Sequence, residues 1–345
     1  MFTVNSIKWE NESVIILDQS QLPSKAVYHT YSNYRDIINA ICDLTINGNI
    51  CIALSAAMGM ALAVSKTGDD ENKEEFFLQT ARILDIFEKT RPSHFSLRVV
   101  ITKFRQFLET APDIKTLKYN IRNESKNFFN ADMDCNKKIV DCGNEIIEEG
   151  DSILLYSNYG RFSSAGYGTV LGIIRKARTD GKNFRIYIGE TRPELIGGRI
   201  TAWELKNEGF DVTVIPDNHM YSLVESRKVN KIIFGAIHVS ANGDVLTETG
   251  SKPAAAAAQK VGIPFYICAS SLYNFDFNSA DGSGFIYENR PVGEVAYIEN
   301  KIIVPEGITI LNSIFEKIES ALITKIICDK GIEENPGANG ISKFR

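Results

Sequence analysis

The chain contains 345 residues, of which 44% are hydrophobic and 23% are charged, and this composition is typical of a globular protein with two domains of ordinary size. Its 38 basic and 43 acidic residues give a net charge of −5, so no chain-wide positive field is available to hold nucleic acid or an anionic membrane. The longest apolar stretch, residues 49–64, is shorter than the roughly 20 residues of a membrane-spanning helix.

A mainly helical domain is predicted over residues 1–125, with a short strand at residues 13–19 near its start. Residues 51–65 are apolar on nearly every side of a helix, so we expect that helix to be buried. Further helices with apolar residues at helical spacing are predicted at 34–44, 74–90, 96–110 and 114–130. Residues 126–150 are polar and acidic, and we interpret them as the connection to a second unit.

From residue 151 to residue 345 the pattern changes to strands that alternate with helices. Strands are predicted at 152–157, 184–190, 211–217, 231–239 and 264–270. Helices are predicted at 165–179, 197–209, 219–228 and 253–262, and a last helix at 313–331. This alternation predicts an α/β fold with a Rossmann-like, doubly wound parallel sheet. Ligands of such sheets bind beyond the carboxyl ends of the strands, so the loops at those ends are the candidate ligand-binding segments.

The loop after the first strand of the sheet is rich in glycine. Gly160, Gly166 and Gly168 suit a tight turn at a helix N-terminus, where backbone N–H groups can approach an anion. The spacing differs from G-x-G-x-x-G, and close packing between helix and strand explains the same glycines. Both interpretations remain open.

Charged and polar residues follow the next two strands. Glu190, Arg192 and Arg199 suit a polar ligand, and an internal Glu–Arg pair that fixes the loop explains them equally well. Asp217 and Asn218 follow the third strand, and both residue types also favour turns and helix caps.

The last two loops hold a histidine and a predicted helix start. His238 follows the fourth strand, where a structural histidine is a common alternative to a catalytic one. Ser251 and Lys252 precede Pro253, and a proline at the first turn of a helix indicates an N-terminus suited to phosphate.

We expect no cofactor and no metal. The sequence lacks a Walker loop, a kinase signature, G-x-S-x-G, and a G-x-G-x-x-G placed for a dinucleotide. The histidines His29, His94, His219 and His238 include no pair four residues apart, so a zinc site is not supported. The six cysteines include no C-x-x-C pair, and the opening residues show no basic start followed by an apolar block. We therefore expect a cytoplasmic protein.

Short motifs at these loops, taken in chain order, form a specific set. They are AGYGT (165–169), ETRP (190–193), GxRxTAWEL (197–205), DN (217–218), SANGDV (240–245) and GIPFY (262–266). Together with LDQSQLP near the start, NGNICIALSAAMGMALA and the closing LITKIICDKGI, this set resembles the methylthioribose-1-phosphate isomerases. Those enzymes share their fold with ribose-1,5-bisphosphate isomerase and with the regulatory subunits of the eukaryotic initiation-factor exchange complex.

The resemblance covers nearly the whole chain and has several implications. It implies a helical N-terminal domain, a Rossmann-like C-terminal domain and a homodimer. It also implies a sugar-phosphate-like ligand between the domains and isomerase activity without a cofactor.

The positions that carry the chemistry of that family differ in this chain. The family pairs a cysteine in a segment like H-C-N-x-G with an aspartate in a G-A-D segment, and these positions are Ser157 and Ile237 here. A serine hydroxyl is a far poorer acid and base than a thiol near neutral pH, and isoleucine exchanges no proton. Successive strand residues point to opposite faces, so His238 replaces the aspartate only if the strand bulges or bends.

The anion-binding positions differ as well. The R-G-A-P-A-I segment of the family is residues 47–52 here, with Asn47 and Gly48 at its start. The N-K-I-G-T segment is residues 247–251, so Glu248 replaces a cation, and a glutamine after ETRP is Ile196. A charge-assisted phosphate contact is worth about 1.5–3 kcal/mol, so we expect the ordinary substrate to bind poorly unless Lys252 substitutes.

The candidate catalytic residues are Ser157 and His238. The candidate substrate-binding residues are Asn47, Gly48, Arg91, Gly160, Glu190, Arg192, Asn218, Gly250, Ser251 and Lys252. Two functions remain open: a diverged aldose–ketose isomerase acting on an altered substrate with less phosphate, and a non-catalytic homologue that binds a ligand or serves as an assembly subunit.

Overall fold

The computed structural model describes residues 6–10, 12–66, 68, 72–298 and 301–345. The N-terminal part opens with three antiparallel strands in the order β1-β2-β3. Their bounds are β1 Ile7–Glu10, β2 Ser13–Leu17 and β3 Tyr28–Tyr31. Five helices follow: α1 Tyr34–Cys42, α2 Asn49–Ser65, α3 Lys73–Thr90, α4 Phe95–Thr110 and α5 Ile114–Gly143. The predicted helical N-terminal region is confirmed.

Helix α2 is the centre of the N-terminal core. Nearly all of its side chains are buried, as its uniformly apolar sequence predicts. Its small residues allow close approach of neighbouring helices, and a Cβ at Gly59 would overlap the ring of Phe87 on α3. The same apolar cluster includes side chains from β1, β2 and all five helices.

Helix α5 extends beyond residue 130, where the predicted helix ends. Residues 126–143, which we interpreted as part of a connection, continue this helix. Its buried positions keep helical spacing, but beyond residue 130 the first two of them are the polar residues Asp132 and Asn136. Hydropathy alone therefore does not show the continuation. The boundary between the two predicted domains stays a prediction.

The second part contains a seven-stranded sheet in the order β16-β15-β10-β7-β4-β5-β6. All neighbouring strands are parallel except the edge pair β15 and β16. The strands are β4 Ser152–Leu155, β5 Arg185–Gly189, β6 Val212–Ile215, β7 Lys231–Gly235, β10 Phe265–Cys268, β15 Lys325–Cys328 and β16 Gly331–Glu333. The six parallel strands have the doubly wound Rossmann order, which confirms the predicted fold class.

Helices cover both faces of this sheet, and each face has its own apolar cluster. They are α6 Val170–Thr179, α7 Ala202–Asn207, α8 Met220–Glu225 and α9 Ser251–Val261. A π-helical turn, Gly197–Thr201, leads into α7. The chain order reverses between β4 and β7, and the crevice beyond their carboxyl ends is where a doubly wound sheet binds its ligand.

The strand predicted at residues 231–239 is wrong as one element. β7 ends at Gly235, and β8, His238–Ser240, belongs to a separate four-stranded sheet. That sheet has the order β11-β8-β9-β14, with β9 Val245–Glu248, β11 Phe275–Asp276 and β14 Phe315–Ile318. The chain changes sheets at Ala236 and Ile237.

The helix predicted at residues 313–331 is also wrong, because the segment forms β14, β15 and the start of β16. Its apolar residues fit a helical period, but β14 pairs with β9 and β15 pairs with β10. Pairing with distant strands therefore overrides the local pattern.

The remaining elements are α10 Gly293–Ala296, β12 Tyr297–Ile298, β13 Lys301–Ile302 and α11 Pro336–Asn339. Among the described residues, no helix is long and apolar enough to cross a membrane.

Candidate functional site

A cavity that opens to solvent lies at the crevice between β4 and β7. Its wall combines the N-terminal end of α2 and the loop after α3 with the loops after β4, β5 and β7. The predicted residues that line it are Asn47, Gly48, Arg91, Ser157 and Arg192. Both parts of the chain therefore contribute to one cavity.

Ser157 lies in a backbone conformation that L-amino acids rarely adopt. Its φ is +64°, and Thr191, on the loop after β5, has a φ of +62°. A hydrogen bond connects the two loops, because the Ser157 N–H donates to Thr191 Oγ1 at 3.0 Å. Thr201 Oγ1 donates to the Ser157 carbonyl at 2.6 Å. Such left-handed residues cost free energy and often occur at functional sites.

Glu248 is the side chain that Ser157 contacts. Ser157 Oγ donates to Glu248 Oε1 at 2.7 Å, and Tyr159 Oη donates to Glu248 Oε2 at 2.6 Å. Thr247 Oγ1 is also 2.9 Å from Oε2. The carboxyl group lines the cavity and lies at the end of β9. An ionisable group thus lies in the crevice, and it comes from neither Ser157 nor position 237.

Burial raises the pKa of Glu248, and the hydrogen bonds from Tyr159 and Ser157 oppose that rise. The pKa of Tyr159 is raised well above its usual value by burial and by the neighbouring carboxylate, so its hydroxyl remains a proton donor. A carboxylate with a raised pKa is a better base near neutral pH than an ordinary one. The group is therefore suited to accept and return a proton.

Arg91 forms a buried ion pair on the opposite wall. Its side chain is 2% exposed, and Nε lies 3.0 Å from Glu288 Oε1. Ser93 Oγ donates to Glu288 Oε2 at 2.5 Å. His94 also lines the cavity, and burial together with Arg91 holds its pKa well below its usual value. The imidazole is therefore neutral near pH 7.

The start of α2 forms a further wall. Gly48 has a φ of +88°, and a Cβ there would overlap the backbone of Ser163, so only glycine fits without strain. Asn47 Nδ2 donates to Glu194 Oε2 at 2.8 Å. Asn49 Nδ2 reaches the Ala236 carbonyl at 3.4 Å. The partial positive charge of a helix N-terminus therefore lies at the cavity.

Ile237 and His238 point to different surroundings. Ile237 lines the cavity, whereas the His238 ring is stacked on Phe95 at 4.2 Å between ring centroids and lies 4.7 Å from the ring of Phe285. Burial lowers the pKa of His238 to about 4, and its Nε2 is 3.2 Å from Asp276 Oδ2. The strand does not turn His238 toward Ser157, so we leave this candidate out of the site.

Several predicted residues lie outside the described cavity wall: Gly160, Glu190, Asn218, Gly250, Ser251 and Lys252. Gly160 packs tightly against Glu204 and Leu171, which is the structural alternative. The Glu190 backbone joins β6 and the π-helical turn through Ile215 and Gly198. Asn218 is exposed, and its neighbour Asp217 accepts hydrogen bonds from the backbone of the loop after β5.

The start of α9 is held by a protein carboxylate. Glu316 Oε1 accepts from Gly250 N at 2.7 Å and from Lys252 N at 2.8 Å. Ser251 Oγ donates to the Glu248 carbonyl at 2.7 Å. Lys252 Nζ instead pairs with Glu319 at 2.9 Å. The N-terminus predicted for phosphate is therefore occupied by Glu316.

Sequence reasoning missed Glu248 as a functional group and treated it only as a repulsive charge. It also missed Asn158, Tyr159, Glu194 and His94, all of which line the cavity. Two of these residues lie near motifs at the strand ends: Glu194 directly follows ETRP, and Tyr159 lies six residues before AGYGT. Within the described ranges, no group of three or more His, Cys, Asp or Glu side chains could hold a metal ion.

Residues 45–335 of the chain match the Initiation factor 2 subunit family. The methylthioribose-1-phosphate isomerase of Trichlorobacter lovleyi is 34% identical over 330 residues, which cover 95% of this chain and 94% of that one. The enzyme of the same name from Thermoanaerobacter sp. is 33% identical and matches over 100% of both chains.

Solved structures show the same similarity. The 5-methylthioribose 1-phosphate isomerase of Pyrococcus horikoshii has a TM-score of 0.87 and 28% identity, covering 99% of this chain and 96% of that one. The delta subunit of translation initiation factor eIF-2B from A. fulgidus has a TM-score of 0.80 and 27% identity, covering 99% of both.

Proposed function

Because the chain belongs to the Initiation factor 2 subunit family, in the branch of the methylthioribose-1-phosphate isomerases, we propose that it is an aldose–ketose isomerase in which Glu248 carries the proton. The observation that supports this proposal is the Glu248 carboxyl group in the cavity, hydrogen-bonded to Ser157 and Tyr159. The ligand is a sugar-like compound, as the names of the relatives suggest.

The proposed step is proton transfer between adjacent carbons. The Glu248 carboxylate takes the proton from C2 of the open-chain aldose, the C–H electron pair forms the C1–C2 double bond, and the carbonyl electrons move to O1. The protonated carboxyl then gives its proton to C1, and C2 becomes the carbonyl carbon as its hydroxyl loses a proton to O1. No oxidant or reductant is needed.

The surrounding groups assist without changing their own covalent state. Ser157 and Tyr159 orient the carboxylate through their hydroxyl groups. The N-terminal end of α2 lines the same cavity and can stabilise the negative charge that develops on O1, and Arg91 Nη1 can donate a hydrogen bond to a sugar oxygen. We propose Ser157 as a positioning residue, because its hydroxyl is a poor base.

The experiment is turnover of aldoses, ketoses and their 1-phosphates by the purified full-length protein, followed by NMR. We expect conversion of at least one pair, and a loss of about 10²–10⁴-fold in kcat in Glu248→Gln. Glu319→Gln is the matched control, because Glu319 is an exposed carboxylate paired with Lys252, and it should retain activity. Undiminished turnover in Glu248→Gln contradicts the proposal.

A non-catalytic role is the second candidate, and Ile237 favours it. This hydrocarbon side chain is 2% exposed and lies in an apolar cluster, so the position of the family aspartate holds no ionisable group. Tight binding of a sugar without any conversion across the panel, or stable association with another protein subunit, supports this candidate instead.

We also propose a homodimer in the cytoplasm, following the resemblance. Exposed apolar side chains concentrate in the segment 286–311, which a second copy of the chain can cover. They are Ile286, Tyr287, Val292, Tyr297, Ile298, Ile302, Ile303, Ile308 and Leu311. Light scattering of the purified protein should give the mass of two chains, and charged substitutions at Ile298 and Ile302 should give the mass of one.

A further inference from the structure

Three side chains that line the cavity hold a buried polar atom without a hydrogen-bond partner in the described part of the chain. They are Arg91 Nη1, Asn158 Oδ1 and Glu194 Oε1. Buried polar atoms are costly unless they are paired, so these atoms indicate what a ligand supplies. One of them is a donor and two are acceptors. A ligand that satisfies all three must bring at least two hydrogen-bond donors.

A phosphate dianion by itself does not match this pattern. Its oxygens accept hydrogen bonds and donate none, and a carboxylate such as Glu194 repels them. Sugar hydroxyl groups donate and accept. The pattern of unpaired atoms therefore favours hydroxyl groups at the positions of Asn158 and Glu194.

The cations around the cavity are already neutralised by protein carboxylates. Arg91 Nε lies 3.0 Å from Glu288 Oε1. Arg290 Nη2 lies 2.8 Å from Glu294 Oε1, and its Nε lies 3.7 Å from Glu194 Oε1. A further anion at this wall meets no surplus of positive charge. The binding of a phosphate dianion depends on such a surplus.

The two other cations near the site are also engaged. Arg192 donates to the backbone carbonyls of Pro193 at 3.5 Å and Glu294 at 3.3 Å. Lys252 is exposed and pairs with Glu319. The start of α9, which could bind a phosphate through its N–H groups, is occupied by Glu316.

We propose that the cavity takes an aldose or ketose without a phosphate group. This proposal rests on the proposed function only in placing the substrate beside Glu248. Hydroxyl groups of the sugar donate to Asn158 Oδ1 and Glu194 Oε1, and a sugar oxygen accepts from Arg91 Nη1. Glu248 then faces the carbon-bound hydrogen, and its charge does not oppose a neutral ligand.

Calorimetry with ribulose and ribulose 1-phosphate tests this substrate class in the full-length protein. We expect ribulose to bind at least tenfold more tightly. Glu194→Gln keeps an oxygen for Asn47 and removes the charge, so the preference for ribulose should shrink. Lys252→Ala changes an exposed cation outside the cavity and should leave the preference unchanged. Tighter binding of ribulose 1-phosphate overturns the proposal, and so does failure to bind both compounds.

The outcomes separate this proposal from the isomerase function. Preferential binding of ribulose without conversion to an aldose leaves the unphosphorylated substrate class standing and contradicts the isomerase. Conversion of the phosphorylated compound alone, with loss of turnover in Glu248→Gln, supports the isomerase and overturns the substrate class.

Discussion

Glu248 and Ser157 are 91 positions apart in the chain, but Ser157 Oγ lies 2.7 Å from Glu248 Oε1. The two residues meet in space because Glu248 is the last residue of β9 and Ser157 is on the loop that follows β4. The Ser157 hydroxyl is a hydrogen-bond donor to this carboxyl group. At the scale of single residues, the ionisable member of this pair is Glu248, and the proposed function gives it the proton.

The raised pKa of Glu248 predicts the pH dependence of turnover. The base must be deprotonated, so kcat/KM should fall as the pH decreases through the pKa of Glu248. Because burial raises this pKa above the ordinary glutamate value of 4.5, the fall on the acidic side of the pH profile (the acidic limb) should begin above that value. A pH profile of kcat/KM measures it. The residual activity of Glu248→Gln should lack that limb, and a limb that persists in this variant assigns it to another group.

An acid at position 237 should destabilise the protein. Ile237 packs in a cluster with Leu246, Phe285, Ile314 and Phe315. An unpaired carboxylate among these side chains should lower the free energy of unfolding by about 3–5 kcal/mol. Urea unfolding of Ile237→Asp measures this, with Ile237→Val as the control at about 0.5–1.5 kcal/mol. A stable Ile237→Asp variant contradicts the packing that we describe.

The sequence could predict which loops form the crevice, but it could not predict all of the side chains that meet there. Ser157, Asn47 and Arg91 are predicted from the resemblance to the family, and all three line the cavity. Glu248 does not, because its contact with Ser157 depends on the separate sheet that contains β9. His238 is not among the side chains that line the cavity, because its ring stacks on Phe95 and its Nε2 lies beside Asp276.

The alternation of strands and helices is the most predictable feature among the elements. β4, β5, β6 and β10 occur where their apolar runs predict strands, because helices cover both faces of the sheet. The segment 313–331 fails because its apolar spacing fits a helix as well as a strand. Only pairing with β9 and β10 decides between them, and that pairing is not local.

Helix α9 provides a prediction about its N-terminal carboxylate. Glu316 accepts from the backbone N–H groups of Gly250 and Lys252, so Glu316→Ala should cost about 0.5–2 kcal/mol of stability. Urea unfolding measures the loss. Inorganic phosphate should raise the melting temperature of the variant more than that of the parent protein, because it can occupy the vacated helix start.

Glu319→Ala is the control for that experiment. Glu319 is an exposed partner of Lys252, and such surface ion pairs contribute about 0–1 kcal/mol. An unfolding midpoint that is equal for Glu316→Ala and the parent protein contradicts the capping role.

In the whole molecule, the cavity depends on contacts between the helical part and the sheet part. Gln19 Nε2 donates to the Phe162 carbonyl at 2.9 Å. Ser96 Oγ donates to Asn49 Oδ1, and Asn49 Nδ2 donates to the Ala236 carbonyl. Arg91, on the loop after α3, pairs with Glu288 of the second part. The family fold is therefore retained, and both parts of the chain contribute charged side chains to the crevice.

Deuterium exchange tests the central claim, that Glu248 carries a proton between adjacent carbons. The full-length protein is incubated in D₂O with the sugar that it converts, and NMR detects deuterium bound to C1 or C2. We predict incorporation with the parent protein and with Glu319→Gln, and none above background with Glu248→Gln. Incorporation in Glu248→Gln equal to that in the parent protein would contradict the claim.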